Sequence, residues 1–182
     1  MAKLRQGDKK ALEPLYLRYV DRLYSLIFHQ VGRNKAVAED LLQEAFIAAL
    51  DSVSKFRGQS QFYTWLCSIA YHKITDFYRQ QERENNHTEP TSKIPAKEIG
   101  QIAESEPTIQ SKIESKETQQ TVEQALAKLP LDYRQVLLFK YVEEMPVLEI
   151  SLVMHRSSKS IEGLLSRARH ELRARLGKFD KG

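Results

Sequence analysis

The residue types that carry covalent or metal chemistry are few in this chain and poorly placed for it. The five histidines, His29, His72, His87, His155 and His170, are scattered, and Cys67 is the single cysteine, without a thiol partner. Metal ligation and nucleophilic catalysis both need several such groups converging on one point, so the expectation is a non-enzyme with no cofactor and no metal. Recognition chemistry is better supplied. Residues 61–81, QFYTWLCSIAYHKITDFYRQQ, hold six aromatic side chains with basic residues between them. Such rings either fill a core or stack on flat ligands from outside. On a 3.6-residue wheel, Phe62, Leu66, Ile69, Ala70, Ile74 and Phe77 form one apolar arc, with Tyr63 and Cys67 at its edge. Ser68, Tyr71, His72, Thr75, Tyr78 and Arg79 occupy the other side, with Trp65 on the boundary. Core therefore claims half the rings, and Trp65, Tyr71 and Tyr78 remain as candidates for contact with a base.

A second concentration lies at the C-terminal end. Residues 155–182 carry eight Lys or Arg against three acids, an excess of +5 that exceeds the +4 of the whole chain. A basic helical tail suits a polyanion, although a solvated helix face would carry the same charges. Its pattern decides between them. A short apolar helix, MPVLEISLVM, is followed by the turn HRS and then by SKSIEGLLSRARHELRARL, with Ser158 as the expected cap. A short helix, a turn of about three residues and a longer basic helix describe a helix-turn-helix, whose second helix enters the major groove N-terminus first. Arg156, Ser157, Ser158, Lys159, Ser160 and Glu162 are then the early groups facing DNA, with Glu162 able to accept from a cytosine amine. Ile161, Leu164, Leu165 and Ala168 form the inward stripe. Gly163 and Ser166 lie on the same outer side, and Arg167 and Arg169 suit backbone positioning. Glycine at 163 costs up to about 1 kcal/mol in a helix interior, a cost explained by close approach of a neighbouring helix or of DNA.

These groups need helices to hold them. Apolar residues of DKKALEPLYLRYVDRLYSLIFHQVG recur at three and four from Leu12 to Ile27, with Asp8 as cap, Pro14 in the second turn and Gly32 at the end. A second helix over about 34–56 turns Val37, Leu41, Ala45, Phe46, Ala49 and Val53 to one face. Gly58 sits in the loop KFRGQSQ, and the aromatic helix runs on to about Arg83. Residues 85–120 change character: seven of 36 are apolar, with three prolines among Ser, Thr, Glu and Lys, too little to offset ordering entropy. Helices return in ETQQTVEQALAKL and in DYRQVLLFKYVEE, the latter capped by Asp132. The fold class is therefore all-α: two small helical domains, an N-terminal helical bundle (1–84) and a C-terminal helix-turn-helix (116–182), joined by a flexible linker (85–115). The longest strictly apolar run, AFIAAL at 45–50, is too short to span a membrane, and no signal-peptide pattern follows the N-terminus. One cysteine fits a reducing cytoplasm.

Taken together, the two ends resemble an extracytoplasmic-function sigma factor of the sigma-70 family, the bacterial proteins that carry RNA polymerase to promoters. The resemblance is carried by GDKKALEPLYLRYVDRLY, AEDLLQEAF, FRGQSQFYTWLCSIA with Asp76 and Arg79, LPLDYRQVLLFKYVEEMPVLEIS and SIEGLLSRARHEL, in that order. It implies a region-2-like N-terminal domain that docks on polymerase and opens the minus-ten element, and a region-4-like C-terminal domain that reads the minus-thirty-five element. By position, Asp40, Gln43 and Glu44 resemble the face that meets the clamp helices of the largest polymerase subunit. Arg57, Gln59, Ser60, Gln61, Phe62, Tyr63, Thr64, Trp65, His72 and Arg79 fall where the family captures the minus-ten strand, and flipping a base there costs a few kcal/mol that a pocket can offset. The C-terminal domain is also expected to meet the flap of the second-largest subunit. Partners implied are core RNA polymerase, promoter DNA and an anti-sigma factor, which holds many members of the family inactive, some of them at the membrane. The sequence departs from the family at His72, often Asn; at Tyr71, often Arg; at His155, usually Gly; and at Glu162 and Leu164, often basic.

Other readings fare worse. A ligand-controlled regulator with the same helix-turn-helix needs a sensor, for which residues 1–84 offer no phosphate loop or acidic pocket. A helical-bundle enzyme lacks its catalytic groups, and a helical adaptor leaves the basic tail unexplained.

Overall fold

The computed structural model describes residues 13–87 and 120–179. Among them are seven α-helices and one 3-10 turn, and no strand. Helix α1 is Glu13–Gln30, α2 Lys35–Ser52, α3 Phe62–His87, α4 residues 120–127, α5 Leu131–Tyr141, α6 Val147–Met154 and α7 Ser158–Phe179. The expected Asp8 cap, the linker beyond His87 and residues 116–119 lie outside the described residues.

The helix ends follow local chemistry. Past α1 the chain turns through two left-handed residues, Gly32 (φ 67°) and Arg33 (φ 64°), and the Arg33 N–H closes the end on the Phe28 carbonyl at 2.8 Å. Asn34 caps α2: its side chain accepts from the Val37 N–H at 3.2 Å, a cap worth about 1 kcal/mol. Beyond Ser52 the chain tightens into the 3-10 turn Val53–Lys55, within the span expected to be helical. Helix α3 runs four residues past the expected Arg83, so positions 85–87 of the anticipated linker are helical. No Gly or Pro intervenes before Pro90, and Gln80 supports the last turns by donating to Glu84 at 2.9 Å.

Two expected caps are displaced by one residue. Asp132 lies inside the first turn of α5, whose N-cap is Pro130, and its carboxylate pairs instead with Arg156. Ser157, not Ser158, caps α7, its hydroxyl accepting from the Ser160 N–H at 3.2 Å. His155 takes the left-handed conformation (φ 52°, ψ 45°) that the helix-turn-helix turn demands, at a cost of about 1–2 kcal/mol for a non-glycine residue.

Most positions of the expected apolar faces are buried, although Tyr16, on the expected stripe of α1, is 41% exposed. Leu23, Leu26, Ile27, Ala45, Ala49, Leu66, Ala70 and Ile74 are at most 1% exposed in the N-terminal region. In the C-terminal region Val136, Phe139, Ile150, Val153, Ile161 and Ala168 are fully buried. Each large apolar side chain so buried contributes roughly 1.5–3 kcal/mol. The two regions share one continuous cluster: α3 packs against α2 on one side and α6 on the other, while α1 meets α5 and α7 closes over α5 and α6.

Candidate nucleic-acid interface

On α2, Leu41, Leu42, Ala45 and Phe46 are buried, which leaves Asp40, Gln43 and Glu44 exposed on the other side. The Glu44 carboxylate accepts from Lys73 of α3 at 3.0 Å. Ile47 (58% exposed) and Leu50 (36%) extend this side with apolar surface. Neither was singled out in sequence, although an isoleucine outside the i, i+3, i+4 stripe is a legible sign.

The loop after the 3-10 turn is pinned from within. Phe56 is buried, with its ring 5.1 Å from Trp65 and 5.8 Å from Phe62. Gly58 supplies a positive φ of 75°. Arg57, Gln59 and Gln61 consequently point to solvent, and Ser60 is half-buried. His72 and Arg79 are also exposed.

Of the remaining aromatic-helix candidates, Phe62, Tyr63, Thr64 and Tyr71 are buried, and Trp65 and Tyr78 are half-buried. Phe62 is packed among Tyr19, Phe56 and Trp65. Tyr63 and Thr64 are 6% and 2% exposed, and Tyr71, on the side expected to face outward, is 8% exposed. Its ring lies 6.4 Å from Phe139 of α5. Tyr78 donates to the Gln30 carbonyl at 3.1 Å. A wheel drawn for α3 alone leaves this side to solvent, whereas α5 and α6 cover much of it.

The cover is polar and specific. The Tyr63 hydroxyl donates to Oε2 of Glu143 at 2.8 Å, and Arg22 Nε donates to the same oxygen at 2.8 Å. The Arg22 guanidinium stands 4.2 Å over the Tyr63 ring. Thr64 Oγ1 donates to Glu149 Oε2 at 2.8 Å. Arg134 donates to the Gln30 carbonyl at 2.8 Å, to the Tyr78 hydroxyl at 3.2 Å and to the Ala127 carbonyl at 3.1 Å. His72 stacks on His155, ring centroids 4.9 Å apart, so two departures from the family pattern touch. Burial raises the Tyr63 phenol above its ordinary range, with Cys67 and Glu143 adding to the shift. Burial likewise raises the Cys67 thiol, keeping it un-ionised. Arg22, Arg134, Glu143 and Glu149 were not singled out in sequence. Their partners lie on other helices, and no local spacing announces them.

On α7, Ser157, Lys159, Ser160, Glu162, Ser166, Arg167 and Arg169 are exposed, and Ser158 and Gly163 are half-buried. Arg156, half-buried, is engaged by Asp132. Arg169 reaches the Tyr141 hydroxyl at 3.5 Å. Among the described residues no neighbouring helix crowds Gly163: a Cβ there would meet only Arg167 Nη1, at 3.4 Å. Of the two explanations for this glycine, the packed helix is therefore removed. Among the described residues no group of His, Cys, Asp and Glu could hold a metal, and no helix is long and apolar enough to cross a membrane.

Known proteins with the same features agree on one family. Residues 15–84 match Sigma-70 region 2 and residues 119–172 match Sigma-70, region 4. The chain is 29% identical over 181 residues to the ECF RNA polymerase sigma factor SigW of Bacillus subtilis, covering 95% of this chain and 92% of that protein. It is 30% identical over 177 residues to the RNA polymerase sigma-H factor of Pseudomonas aeruginosa, covering 93% and 88%. In fold it is similar to the sigma factor RpoE of Bartonella quintana, solved in complex with the anti-sigma factor NepR, with a TM-score of 0.74 at 19% identity over 92% of this chain and 98% of that one. With an exposed polar side on α2, a pinned loop before an aromatic helix and a basic helix-turn-helix, the chain belongs to the sigma-70 family, as an extracytoplasmic-function sigma factor for promoter-specific transcription initiation.

Proposed function

We propose that this chain binds core polymerase through Asp40, Gln43 and Glu44 and opens the minus-ten element with the loop and helix start at 57–65. In this reading residues 1–84 form the docking and melting domain, 85–115 connect it to the C-terminal domain, and 116–182 read the minus-thirty-five element. The observation that carries it is the division of labour on α2 and its following loop. One side of α2 is committed to the core, and the other, with Arg57, Gln59 and Gln61, is free for macromolecules. The α2 side suits the clamp helices of the largest subunit, and the C-terminal domain suits the flap of the second-largest. Melting needs no nucleotide hydrolysis: capture of an unstacked base, at a cost of a few kcal/mol, holds the strand open.

On the C-terminal domain, Ser157, Lys159, Ser160 and Glu162 stand at the N-terminal end of α7, where base edges are read. Arg167 and Arg169 grip phosphates, and Arg156 joins them by exchanging Asp132 for DNA. An anti-sigma factor is a fitting further partner, as for the relatives of similar fold, and the bacterial cytoplasm is the site of action.

Promoter-directed transcription with purified core polymerase and a genomic promoter pool tests this. Specific starts are expected from the wild type. D40A/Q43A should raise the Kd for core at least tenfold while leaving the fold intact by circular dichroism. Absence of any specific transcript from the wild type refutes the function, and unchanged core affinity in the double variant refutes the docking assignment.

A further inference from the structure

We propose that Glu162 determines one base of the minus-thirty-five element, its carboxylate accepting from the amino group of a cytosine, and that Gly163 brings α7 close enough for this contact. The proposal rests on the minus-thirty-five reading of α7. Glu162 is the single acid between His155 and His170, in a segment that also carries Arg156, Lys159, Arg167 and Arg169. It is exposed and lies one turn in from Ser158, the end of the helix at which side chains meet base edges. Among the described residues it has no hydrogen-bond or ion-pair partner, whereas Glu171 on the same helix is held by Arg175 at 2.8 Å. An unpaired carboxylate entering a groove walled by phosphates is repelled unless a base donates to it. Its presence at the reading end therefore points to a base that does.

The chemistry of the carboxylate selects the base. Ionised, it only accepts, so guanine, with two major-groove acceptors, and thymine, with an acceptor and a methyl group, offer it nothing. Adenine and cytosine both present an amine. Adenine sets a ring-nitrogen acceptor beside its amine, which repels the second carboxylate oxygen, and cytosine sets only a carbon-bound hydrogen there. Cytosine is the match. Gly163 supplies the depth. Lys159, Gly163, Ser166 and His170 recur at intervals of four, three and four, on the side of α7 turned away from its buried stripe. With only Arg167 Nη1 near its missing Cβ, packing among the described residues does not require this glycine, and helix propensity opposes it. A bare backbone in the middle of the outward side lets DNA come close where any side chain would hold it off. Glu162, shorter than the surrounding arginines and lysine, is the neighbour that needs that approach.

The test uses holoenzyme assembled from core polymerase and the full chain. A promoter that the wild type transcribes is randomised across its minus-thirty-five element, and the duplexes the holoenzyme retains are sequenced. The wild type should prefer cytosine at one position on the order of tenfold. E162A should reduce that preference below about twofold and leave the other positions as they were. E162Q, whose amide both donates and accepts, should move the preference at the same position from cytosine to adenine. Glu162 is exposed, so both variants should keep their helix content by circular dichroism. G163A should bind the selected duplex about tenfold more weakly while its Tm rises by about 2–4 °C, opposite signs that separate a lost approach from a damaged fold. Preferences unchanged at every position in E162A and E162Q make Glu162 a solvated surface group and overturn the proposal. Unchanged duplex affinity in G163A overturns the part given to the glycine. If the wild type itself enriches no minus-thirty-five sequence, the reading of α7 beneath the proposal falls too; if it does and the Glu162 variants match it, only the assignment of Glu162 fails.

Discussion

Replacing Arg134 by alanine should expose how strongly the two regions are joined. Arg134 is 8% exposed, and its guanidinium serves three acceptors on three different elements: the Gln30 carbonyl at the end of α1, the Tyr78 hydroxyl on α3 and the Ala127 carbonyl at the end of α4. A hydrogen bond to a charged group contributes about 1.5–3 kcal/mol, but the three losses do not simply add. Tyr78 still donates to the Gln30 carbonyl at 3.1 Å, and Ala127 is exposed, so water can replace its partner. Removing the aliphatic stem adds a cavity penalty of the kind seen in buried truncations. The net expectation is a loss of about 3 kcal/mol, which for a domain of 150–250 residues lowers Tm by roughly 6–12 °C. R134K keeps the charge but cannot span three acceptors, and should recover about half of the loss. Thermal and urea unfolding followed by circular dichroism measure both variants. A loss under about 1 kcal/mol for R134A, or full recovery in R134K, would refute the bridging role argued from these distances.

Three further outcomes follow from other interactions. S157A should cost about 1 kcal/mol of stability and S158A only a few tenths, by urea titration, because Ser157 alone holds the α7 N-terminus by its side chain. Burial, then His155 and Arg79, hold the His72 imidazole below its ordinary 6.5 against the opposing pull of Asp76. The folded chain therefore binds a proton there less readily than the unfolded one, gaining stability as pH rises and losing it as pH falls through 6.5 and below. Both rings are solvent-exposed, so the effect stays under about 1 kcal/mol; the Tm followed by circular dichroism should fall slightly between pH 7.5 and 5.5, and H72N should flatten that response. R167A/R169A should weaken duplex binding across sequences and reduce the salt slope by about 0.9 for each DNA phosphate no longer neutralised; a changed sequence preference would instead put these arginines at base edges.

The sequence was most legible where one helix answers to one neighbour. The faces of α1, α2 and α7 follow from spacing alone, since Leu23, Leu26, Ile27, Ala45, Ala49, Ile161 and Ala168 fall on periodic positions and all are buried. His155 was legible as a turn residue only through the resemblance, which usually has glycine there, and it takes the left-handed conformation. Helix α3 was read only in part because it has two neighbours. Its first apolar arc obeys the wheel, but Thr64 and Tyr71 are buried by helices more than fifty residues away, and a wheel contains no such partner. Glu143 was invisible for the same reason: a glutamate in the pair Glu143–Glu144 gives no sign which carboxylate turns inward. Displacement of the α5 and α7 caps by one residue reflects competition, Asp132 being claimed by Arg156 and Ser157 reaching the Ser160 N–H first.

Helix α6 is packed on α7 behind it and on α3 in front. A lineage altering Ile150, Ser151 or Val153 must satisfy two neighbours at once, and such positions drift slowly. Lys159, Ser160, Glu162 and Ser166 have exposed side chains, committed to no packed neighbour among the described residues. On the proposed reading of α7, descendants of this chain can acquire new promoters by changing its outer side one residue at a time, while the packed faces that join the two regions are harder to change.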